Sequence, residues 1–143
     1  MLFEPKLILI DAPDETAQTI IENGLADYNE EQAGYRDGRE LAVLVTGPDD
    51  QVCGGLLGRT SLGLLFIDLF YVPPDLRKSG VGARSLRIAE EEAIRRGCVS
   101  AVLFTISFQA PAFYQRYGWR EVARIPCLPP GTSRIVMTKT LPS

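Results

Sequence analysis

The sequence predicts an α/β fold of the mixed α+β kind, with a central, mostly antiparallel sheet of six or seven strands and helices on both faces. Short apolar runs of strand length recur along the chain, separated by turn residues. Two of them, residues 64–72 and 101–106, flank a helical stretch at residues 84–96. A strand–helix–strand succession makes these two strands parallel, with a right-handed crossover. A hairpin between residues 41–46 and 52–58 adds an antiparallel pair.

The first quarter of the chain is predicted to hold one strand and one helix. Residues 7–10 are a short apolar run, and Asp11 or Asp14 could cap the helix that follows. Apolar residues recur there at helical spacing. The polar stretch at residues 23–39 is predicted to be the tail of this helix and a loop.

A hairpin follows, formed by residues 41–46 and 52–58. Three glycines weaken its second strand, unless another chain segment or a ligand lies close against it: Gly54, Gly55 and Gly58. The apolar stripe of the helix at residues 84–96 contains Leu86, Ala89 and Ala93, and the helix is predicted to end at Gly97.

The charged residues of this helix are predicted to form a solvated face. Glu91–Arg95 and Glu92–Arg96 have the spacing of ion pairs on successive turns. Glu90 adjoins them in the sequence and is given no binding role.

The last third of the chain continues with a short helix and two strands. Pro111 suits the first turn of the helix and Gly118 its end. The final strands are predicted over residues 119–125 and 133–141.

Composition argues against several classes of partner and mechanism. A single domain over residues 1–143 with a net charge of −3 and a pI of about 5.0 does not favour nucleic-acid binding. No apolar run is long enough to span a membrane. The N-terminus lacks a signal-peptide pattern, and three cysteines without metal-ligand spacing fit a reduced compartment. A cytoplasmic protein without a bound metal is therefore expected. Because the chain contains no histidine, any general base must be a carboxylate, a tyrosine, a lysine, a chain terminus or water.

A glycine-rich turn between the strand at residues 64–72 and the next helix is a candidate binding site. Free N–H groups and the helix dipole attract phosphate groups to a helix N-terminus. Gly80 and Gly82 would let an anion approach the main chain closely, and Arg77 and Lys78 add cationic donors. The spacing matches neither the P-loop nor the dinucleotide fingerprint, and a Gly-x-Gly pair alone also occurs at ordinary helix starts.

Three segments together resemble the GNAT superfamily of N-acetyltransferases. They are Arg77-x-x-Gly80-x-Gly82, the run Ala110-Pro-Ala-Phe-Tyr-Gln-Arg-Tyr-Gly-Trp119 and the strand end Phe70-Tyr-Val-Pro-Pro74. The resemblance covers nearly the whole chain. Ser107-Phe-Gln-Ala-Pro-Ala-Phe-Tyr114 and Pro129-Pro-Gly-Thr-Ser-Arg134 resemble a small-acetyltransferase subgroup. The resemblance implies acetyl-coenzyme A (acetyl-CoA) as acyl donor and a fourth and fifth strand that are parallel and splayed.

The resemblance also implies how the pyrophosphate of acetyl-CoA is held. Backbone N–H groups along the turn would bind it, with help from the Arg77 side chain. Lys78 could reach the nucleotide's phosphates or simply be solvated. The residues whose N–H groups are implied are Ser79, Gly80, Val81, Gly82 and Ala83.

The pantetheine arm is implied to add like an extra strand to the strand end at Phe70, Tyr71 and Val72. At the place where the family often has an asparagine that hydrogen-bonds the cofactor, this chain has Ser107. Ser107 or Gln109 could make that contact instead.

The catalytic acid implied by the resemblance is Tyr114, which would protonate the departing thiolate. Its alternative role is a tyrosine packed in the core. Phe113 is counted among the cofactor-binding residues, yet Phe113 and Tyr117 are also expected to pack in the core while Tyr114 faces elsewhere.

Asp68 is the candidate for receiving the amine's proton or anchoring a cationic substrate, because a carboxylate inside an apolar strand needs a reason. Strict alternation would place it on one face with Phe66 and Phe70. It could equally be a structural carboxylate. Candidate acceptor-site residues are Tyr28, Tyr35 and, in the loop at residues 129–134, Ser133. That loop could also be only a rigid turn.

Two hypotheses about function remain from the sequence. The first is an N-acetyltransferase that acts on a primary amine, of a small molecule rather than a protein, by direct attack in a ternary complex. The second is a non-catalytic acyl-CoA-binding module. A homodimer through the C-terminal strands is plausible by resemblance. The acceptor, the general base and the length of the acyl group are left open.

Overall fold

The structure of the protein is a computed structural model that describes residues 3–143. The chain divides into two compact units, Met1–Arg36 and Asp37–Ser143, and each is described here by itself. The single domain expected over residues 1–143 stays a prediction.

The first unit contains helix α1, Glu15–Ala33. The Asp14 side chain accepts a hydrogen bond from the Ala17 N–H at 2.7 Å, so Asp14 rather than Asp11 is the cap. The helix includes much of the stretch predicted as its tail, and it ends at Gly34 with a φ of 92°. The strand predicted at residues 7–10 is wrong: these residues form no strand. A four-residue strand is not stable without a partner, and this unit contains no other strand among its described residues.

The second unit is built on a six-stranded sheet with the order β1-β2-β3-β4-β6-β5. All neighbouring pairs are antiparallel except β3 and β4, which are parallel as predicted. They are the third and fourth strands instead of the fourth and fifth, because residues 7–10 form no strand. The strands are β1 (Arg39–Thr46), β2 (Val52–Ser61), β3 (Leu64–Tyr71), β4 (Ser100–Ile106), β5 (Arg120–Pro126) and β6 (Ser133–Thr140).

Two α-helices complete this unit: α2, Val81–Arg95, and α3, Pro111–Arg116. A short 3-10 turn, Pro74–Leu76, leads from β3 towards α2. Helix α2 crosses between the parallel strands, as the strand–helix–strand pattern predicts.

The core lies between one face of the sheet and these two helices. Leu86, Ala89 and Ala93 of α2 are buried there, which confirms the predicted stripe. The sheet contributes side chains that alternate along each strand: Leu41, Leu56, Leu65, Ile67, Ala101, Leu103, Ile135 and Met137. Each large aliphatic side chain buried in this way stabilises the fold by roughly 1.5–3 kcal/mol. A helix on the opposite face would have to be α1, which belongs to the other unit, so that part of the expectation stays a prediction.

The glycines of β2 are explained by close neighbouring strands. A Cβ atom on Gly58 would lie 2.2 Å from the Phe66 carbonyl oxygen of β3, and one on Gly55 would lie 2.3 Å from the Val43 oxygen of β1. The close segment expected from the sequence is therefore another part of the chain. Among residues 3–143, no helix combines the length and apolar character that a membrane span requires.

Candidate active site

The parallel strands β3 and β4 separate halfway along their length. They pair from Leu64 with Ser100 to Ile67 with Leu103 and no further. Beyond that point β3 stays paired with β2, and β4 stays paired with β6. The splay predicted from the sequence is thus confirmed. Among residues 3–143, the inner strand edges beyond the last pair have no sheet partner, so an extended ligand could form backbone hydrogen bonds there.

The N-terminus of α2 has no side-chain cap. Gly80 is the N-cap residue, with a φ of 87°, a left-handed conformation that glycine adopts without a steric penalty. The first N–H groups of any α-helix lack partners within the helix, so those of Gly82 and Ala83 can bind a ligand. A Cβ atom on Gly80 would have no atom within 4 Å, so the turn is open on that side. Such an N-terminus attracts anions.

Gly82 has a packing role that the sequence did not indicate. A Cβ atom at this position would lie 3.4 Å from Cζ of Phe113, on α3. The absence of a side chain therefore lets the first turn of α2 contact that ring closely. Anion approach was the reason expected for this glycine, and contact between helices is a second one.

Arg77 and Lys78 shape the loop between β3 and α2. The Arg77 Nε donates to the Val72 carbonyl oxygen at 2.9 Å, and the guanidinium lies 5.9 Å from the Tyr71 ring. Lys78 has a φ of 67°, which is uncommon for a residue with a side chain. The Ser79 hydroxyl donates to the Leu76 carbonyl oxygen. These contacts fix the turn at the mouth of α2.

Tyr114 is buried against an aromatic cluster. Its ring centroid lies 6.4 Å from that of Phe70, 5.2 Å from that of Phe113 and 6.0 Å from that of Trp119. The expectation that Tyr117 packs in the core while Tyr114 faces away is wrong, because Tyr117 is exposed and Tyr114 is buried. Helix α3 turns Tyr114 towards Trp119 and the end of β3. Phe113 is partly buried against the core, as expected.

Burial changes the acidity of Tyr114. Loss of solvation of the phenolate raises the pKa of Tyr114 to about 12. The side chain therefore stays a neutral phenol at neutral pH, the form in which it can act as a proton donor.

Asp68 lies at a bulge in β3. Leu57 of β2 is opposite Leu69 and Gly58 is opposite Ile67, so Asp68 has no opposite residue. The bulge interrupts strict alternation, and Phe70 packs against the core cluster. The carboxylate is half-exposed and lies 3.4 Å from Nε of Arg59.

Arg59 stacks on the ring of Phe66, with its guanidinium carbon 4.0 Å from the ring centroid. Because the Asp68 carboxylate is half-exposed and paired with Arg59, it avoids the desolvation penalty expected for a carboxylate inside an apolar strand.

Ser107, Gln109 and Ser133 close the end of β4. The Ser133 N–H donates to the Ser107 hydroxyl oxygen at 3.0 Å, and the Ser107 N–H donates to the Ser133 carbonyl at 2.9 Å. The Gln109 side-chain oxygen accepts from the Ile106 N–H at 3.1 Å. These groups hold the loop after β4 against the start of β6. Their remaining donors, the hydroxyl and amide hydrogens, could still reach a ligand.

The structure brings Phe70, Gly82, Phe113 and Tyr114 together. Tyr28 and Tyr35, the other candidates for the acceptor site, lie in the first unit and are exposed. Their part in an acceptor site stays a prediction.

Sequence reasoning missed a buried polar group next to this site. Glu90 is buried on α2 with Trp119 and Lys139 as partners. Glu90 was given no role, although its spacing from Leu86 and Ala93 places it on the apolar stripe. That spacing could have predicted that Glu90 is buried.

Comparisons with known proteins agree with this geometry. The acetyltransferase (GNAT) family matches residues 10–119, which is more than half of the chain. The chain belongs to the GNAT acetyltransferase family.

Two relatives extend the family match. An acetyltransferase of Agrobacterium fabrum is 36% identical over 126 residues, 88% of this chain and 92% of the relative. The blasticidin-S acetyltransferase of Streptomyces morookaense is 38% identical over 109 residues, 73% of this chain and 80% of the relative. A solved structure from Agrobacterium tumefaciens, described as an acetyltransferase, superposes with a TM-score of 0.87 at 34% identity. The superposition covers 96% of this chain and 100% of the Agrobacterium tumefaciens chain. The GNAT fold and the acetyltransferase relationship are thereby established.

Proposed function

We propose that the protein transfers an acetyl group from acetyl-CoA to a primary amine of a small molecule, by direct attack in a ternary complex. One observation supports the proposal: the mouth of α2, the end of β3 and the Tyr114 side chain meet at the ring of Phe113. This ring contacts the Gly82 position at the mouth of α2 and lies 6.3 Å from the Phe70 ring at the end of β3 and 5.2 Å from the Tyr114 ring.

The donor's phosphates fit the mouth of α2. The N–H groups from Ser79 to Ala83 would hold the pyrophosphate, and the open side of Gly80 leaves room for it. Two of them would have to give up long hydrogen bonds of 3.4 Å, from Ser79 to the Leu76 carbonyl oxygen and from Val81 to the Ser79 hydroxyl oxygen. Lys78 could add charge to this contact. The pantetheine arm would pair with the free edge of β3 near Phe70, Tyr71 and Val72, in the space where β4 diverges.

Remaining contacts to the donor fall to residues beside the splay. Ser107 and Gln109 would donate from the end of β4, and Phe113 would support the arm through its ring. Arg77 would act mainly through the loop that it holds in place.

The chemistry forms one N–C bond and breaks the C–S bond of the thioester. A backbone N–H freed at the splay would stabilise the developing negative charge on the carbonyl oxygen. Tyr114 would give its proton to the leaving sulfur, and the proton lost by the amine would pass to Asp68 or to water.

The pKa of about 12 for Tyr114 lies above the ordinary thiol value of about 8.5. Burial raises the pKa of a thiol as well, so a thiolate held beside the Tyr114 ring is a stronger base than in water. The pKa of the leaving thiol therefore approaches that of Tyr114.

A small cationic acceptor suits the residues near the splay. Asp68 is half-exposed and, within the part of the chain that the structure describes, forms an ion pair only with the similarly exposed Arg59, so an ammonium group could compete for it. Blasticidin S is the first acceptor to test, because the Streptomyces relative is an acetyltransferase for it. The loop containing Ser133 would border the acceptor. A cytoplasmic location and a homodimer complete the proposal.

Calorimetric titration with acetyl-CoA, followed by a thiol-release assay over a panel of amines, tests this function. Saturable binding with release of free thiol in the presence of a small amine supports it. Binding without turnover on any amine, with Tyr114→Phe indistinguishable from wild type, would replace it by the acyl-CoA-binding module. Absence of acetyl-CoA binding would overturn both.

A further inference from the structure

Glu90 is a buried carboxylate whose two oxygen atoms are both engaged. Its Oε2 accepts from the Trp119 indole N–H at 3.2 Å, and its Oε1 accepts from the Lys139 ammonium at 2.6 Å. The Glu90 side chain is only 11% exposed. A carboxylate is rarely buried to this degree unless it is paired and hydrogen-bonded. Glu90, Trp119 and Lys139 are called the Glu90 cluster below.

The Glu90 cluster reaches the end of α3 through Lys139. The ammonium also donates to the Tyr117 carbonyl oxygen at 2.7 Å, one turn after Tyr114. A Cβ atom on Gly118 would lie 3.4 Å from Cε of Lys139, and Gly118 has a φ of 92°. The lysine stem therefore packs directly against the turn that ends α3, and a side chain at Gly118 would displace it.

Trp119 connects the cluster to Tyr114 in two ways. Its backbone N–H donates to the Tyr114 carbonyl oxygen at 3.1 Å, and its ring contacts the Tyr114 ring edge-on at 6.0 Å. Trp119 is 2% exposed, so its ring is held by packing on all sides. A change in the tilt of this indole would have to move the Tyr114 ring, because a close-packed core has no free volume to absorb it.

We propose that the Glu90 cluster is a positioning device that sets the orientation of Tyr114 towards the splay between β3 and β4. This role rests on the proposed function of Tyr114 as the acid. Glu90 and Lys139 act through Trp119 and touch neither the acyl donor nor the amine. Their charges compensate each other, so the cluster fixes a direction without adding net charge beside the phenol.

Kinetics of Glu90→Gln and Lys139→Met test the proposal, with Tyr114→Phe as the reference. Glutamine keeps the shape of the side chain and can still accept from the indole, but it loses the ion pair with Lys139. Misplacement of a reacting group lowers kcat, so each variant is expected to lose about tenfold to a hundredfold in kcat, with little change in KM for acetyl-CoA. In the Tyr114→Phe background, Glu90→Gln should then have no further effect on kcat.

Glu92→Gln is the matched control on the same helix. It removes a carboxylate that forms an ion pair with Arg96, at the end of α2 far along the sequence from the turn at Gly80. It is expected to lower thermal stability while leaving kcat unchanged. In the Tyr114→Phe background it should again lower the melting temperature and leave kcat at the Tyr114→Phe value.

A spectroscopic measurement separates this proposal from the proposed function. The chain has one tryptophan, so a single indole N–H resonance reports on Trp119. Ring resonances of labelled tyrosine, assigned with Tyr114→Phe, report on Tyr114. Both are expected to shift in Glu90→Gln and to stay in place in Glu92→Gln.

The outcomes are distinct. If Glu90→Gln lowers the melting temperature but leaves the Tyr114 resonance and kcat at wild-type values, the cluster is only structural and the proposal is overturned. If wild type turns over no amine, the proposed function fails, and the resonances alone decide whether the cluster sets the orientation of Tyr114.

Discussion

The two cap residues of helix α2 differ: Gly80 at the N-terminus provides no side-chain cap, whereas the side chain of Arg96 at the C-terminus is bonded to three separate parts of the second unit. Arg96 pairs with Glu92 at 2.8 Å and donates to the Glu40 carbonyl oxygen at 3.0 Å and the Thr60 hydroxyl at 3.1 Å. The N-terminus leaves the backbone N–H groups of Gly82 and Ala83 available to a ligand, whereas the side chain at the C-terminus is bonded within the protein. Binding is therefore expected to depend on the first end and stability on the second.

The largest effect is expected from Gly82→Val. A side chain there would press on the Phe113 ring and cover the N–H groups that receive the phosphates. Loss of two hydrogen bonds to a charged group costs about 3–6 kcal/mol, so the Kd for acetyl-CoA should rise roughly 100- to 10,000-fold by calorimetry.

Gly97→Val is the matched control at the other end of α2. Gly97 has a φ of 87° and open space around its Cβ position, so valine would lower the stability by about 1–2 kcal/mol through backbone strain. The Kd should not change. Equal losses of affinity in the two variants would refute the division between the two ends.

Tyr114→Phe is expected to be next in size. It removes the proton donor but keeps the ring that contacts Phe70 and Trp119. General acid catalysis contributes at least about 100-fold, so kcat should fall by that factor while the Kd for acetyl-CoA stays within twofold. A kcat equal to that of wild type would remove Tyr114 from the mechanism.

Arg96→Ala should affect stability and not binding. Its side chain is 13% exposed, and its loss leaves the Thr60 hydroxyl without this donor and the Glu92 carboxylate with the exposed Arg95 as its remaining ion-pair partner. The free energy of unfolding, from urea titration, is expected to fall by about 2 kcal/mol. Arg95→Ala is the control: Arg95 also pairs with Glu92 but is 66% exposed, so its loss should cost about 0.5 kcal/mol or less. Weakened acetyl-CoA binding in Arg96→Ala would contradict the comparison.

The smallest effect concerns acid stability at the same end of α2. Hydrogen bonds from Arg96 and Arg95 lower the pKa of Glu92. A carboxyl group whose pKa is lower in the folded than in the unfolded protein stabilises the fold at pH values above its unfolded pKa of about 4.3. This contribution is lost as the pH falls through the lower pKa of the folded state. Calorimetric melting from pH 6 to pH 3 should therefore show a shallower loss of Tm in Glu92→Gln than in wild type. Parallel curves would mean that the ion pair contributes nothing to acid stability.

Much of the second unit could be predicted from sequence because its signals are local. Apolar runs, the glycine turn and the stripe of Leu86, Ala89 and Ala93 depend only on spacing along the chain. The splay of β3 and β4 was available only through the family resemblance, since no single-strand pattern specifies where two distant strands separate.

The errors arose where distant segments decide the outcome. Strict alternation failed at Asp68 because the bulge depends on how β3 pairs with β2. The direction of Tyr114 was misjudged because α3 is only six residues long, and its orientation is set by Trp119, Phe70 and the Glu90 cluster. The run at residues 7–10 had strand propensity but no partner strand.

Backbone amide NMR of the protein titrated with acetyl-CoA tests the central claim most directly. The largest chemical-shift changes are predicted at residues 79–83, at the mouth of α2, with little change at residues 96–98 at its other end. Saturation with acetyl-CoA that leaves residues 79–83 unshifted would contradict the account.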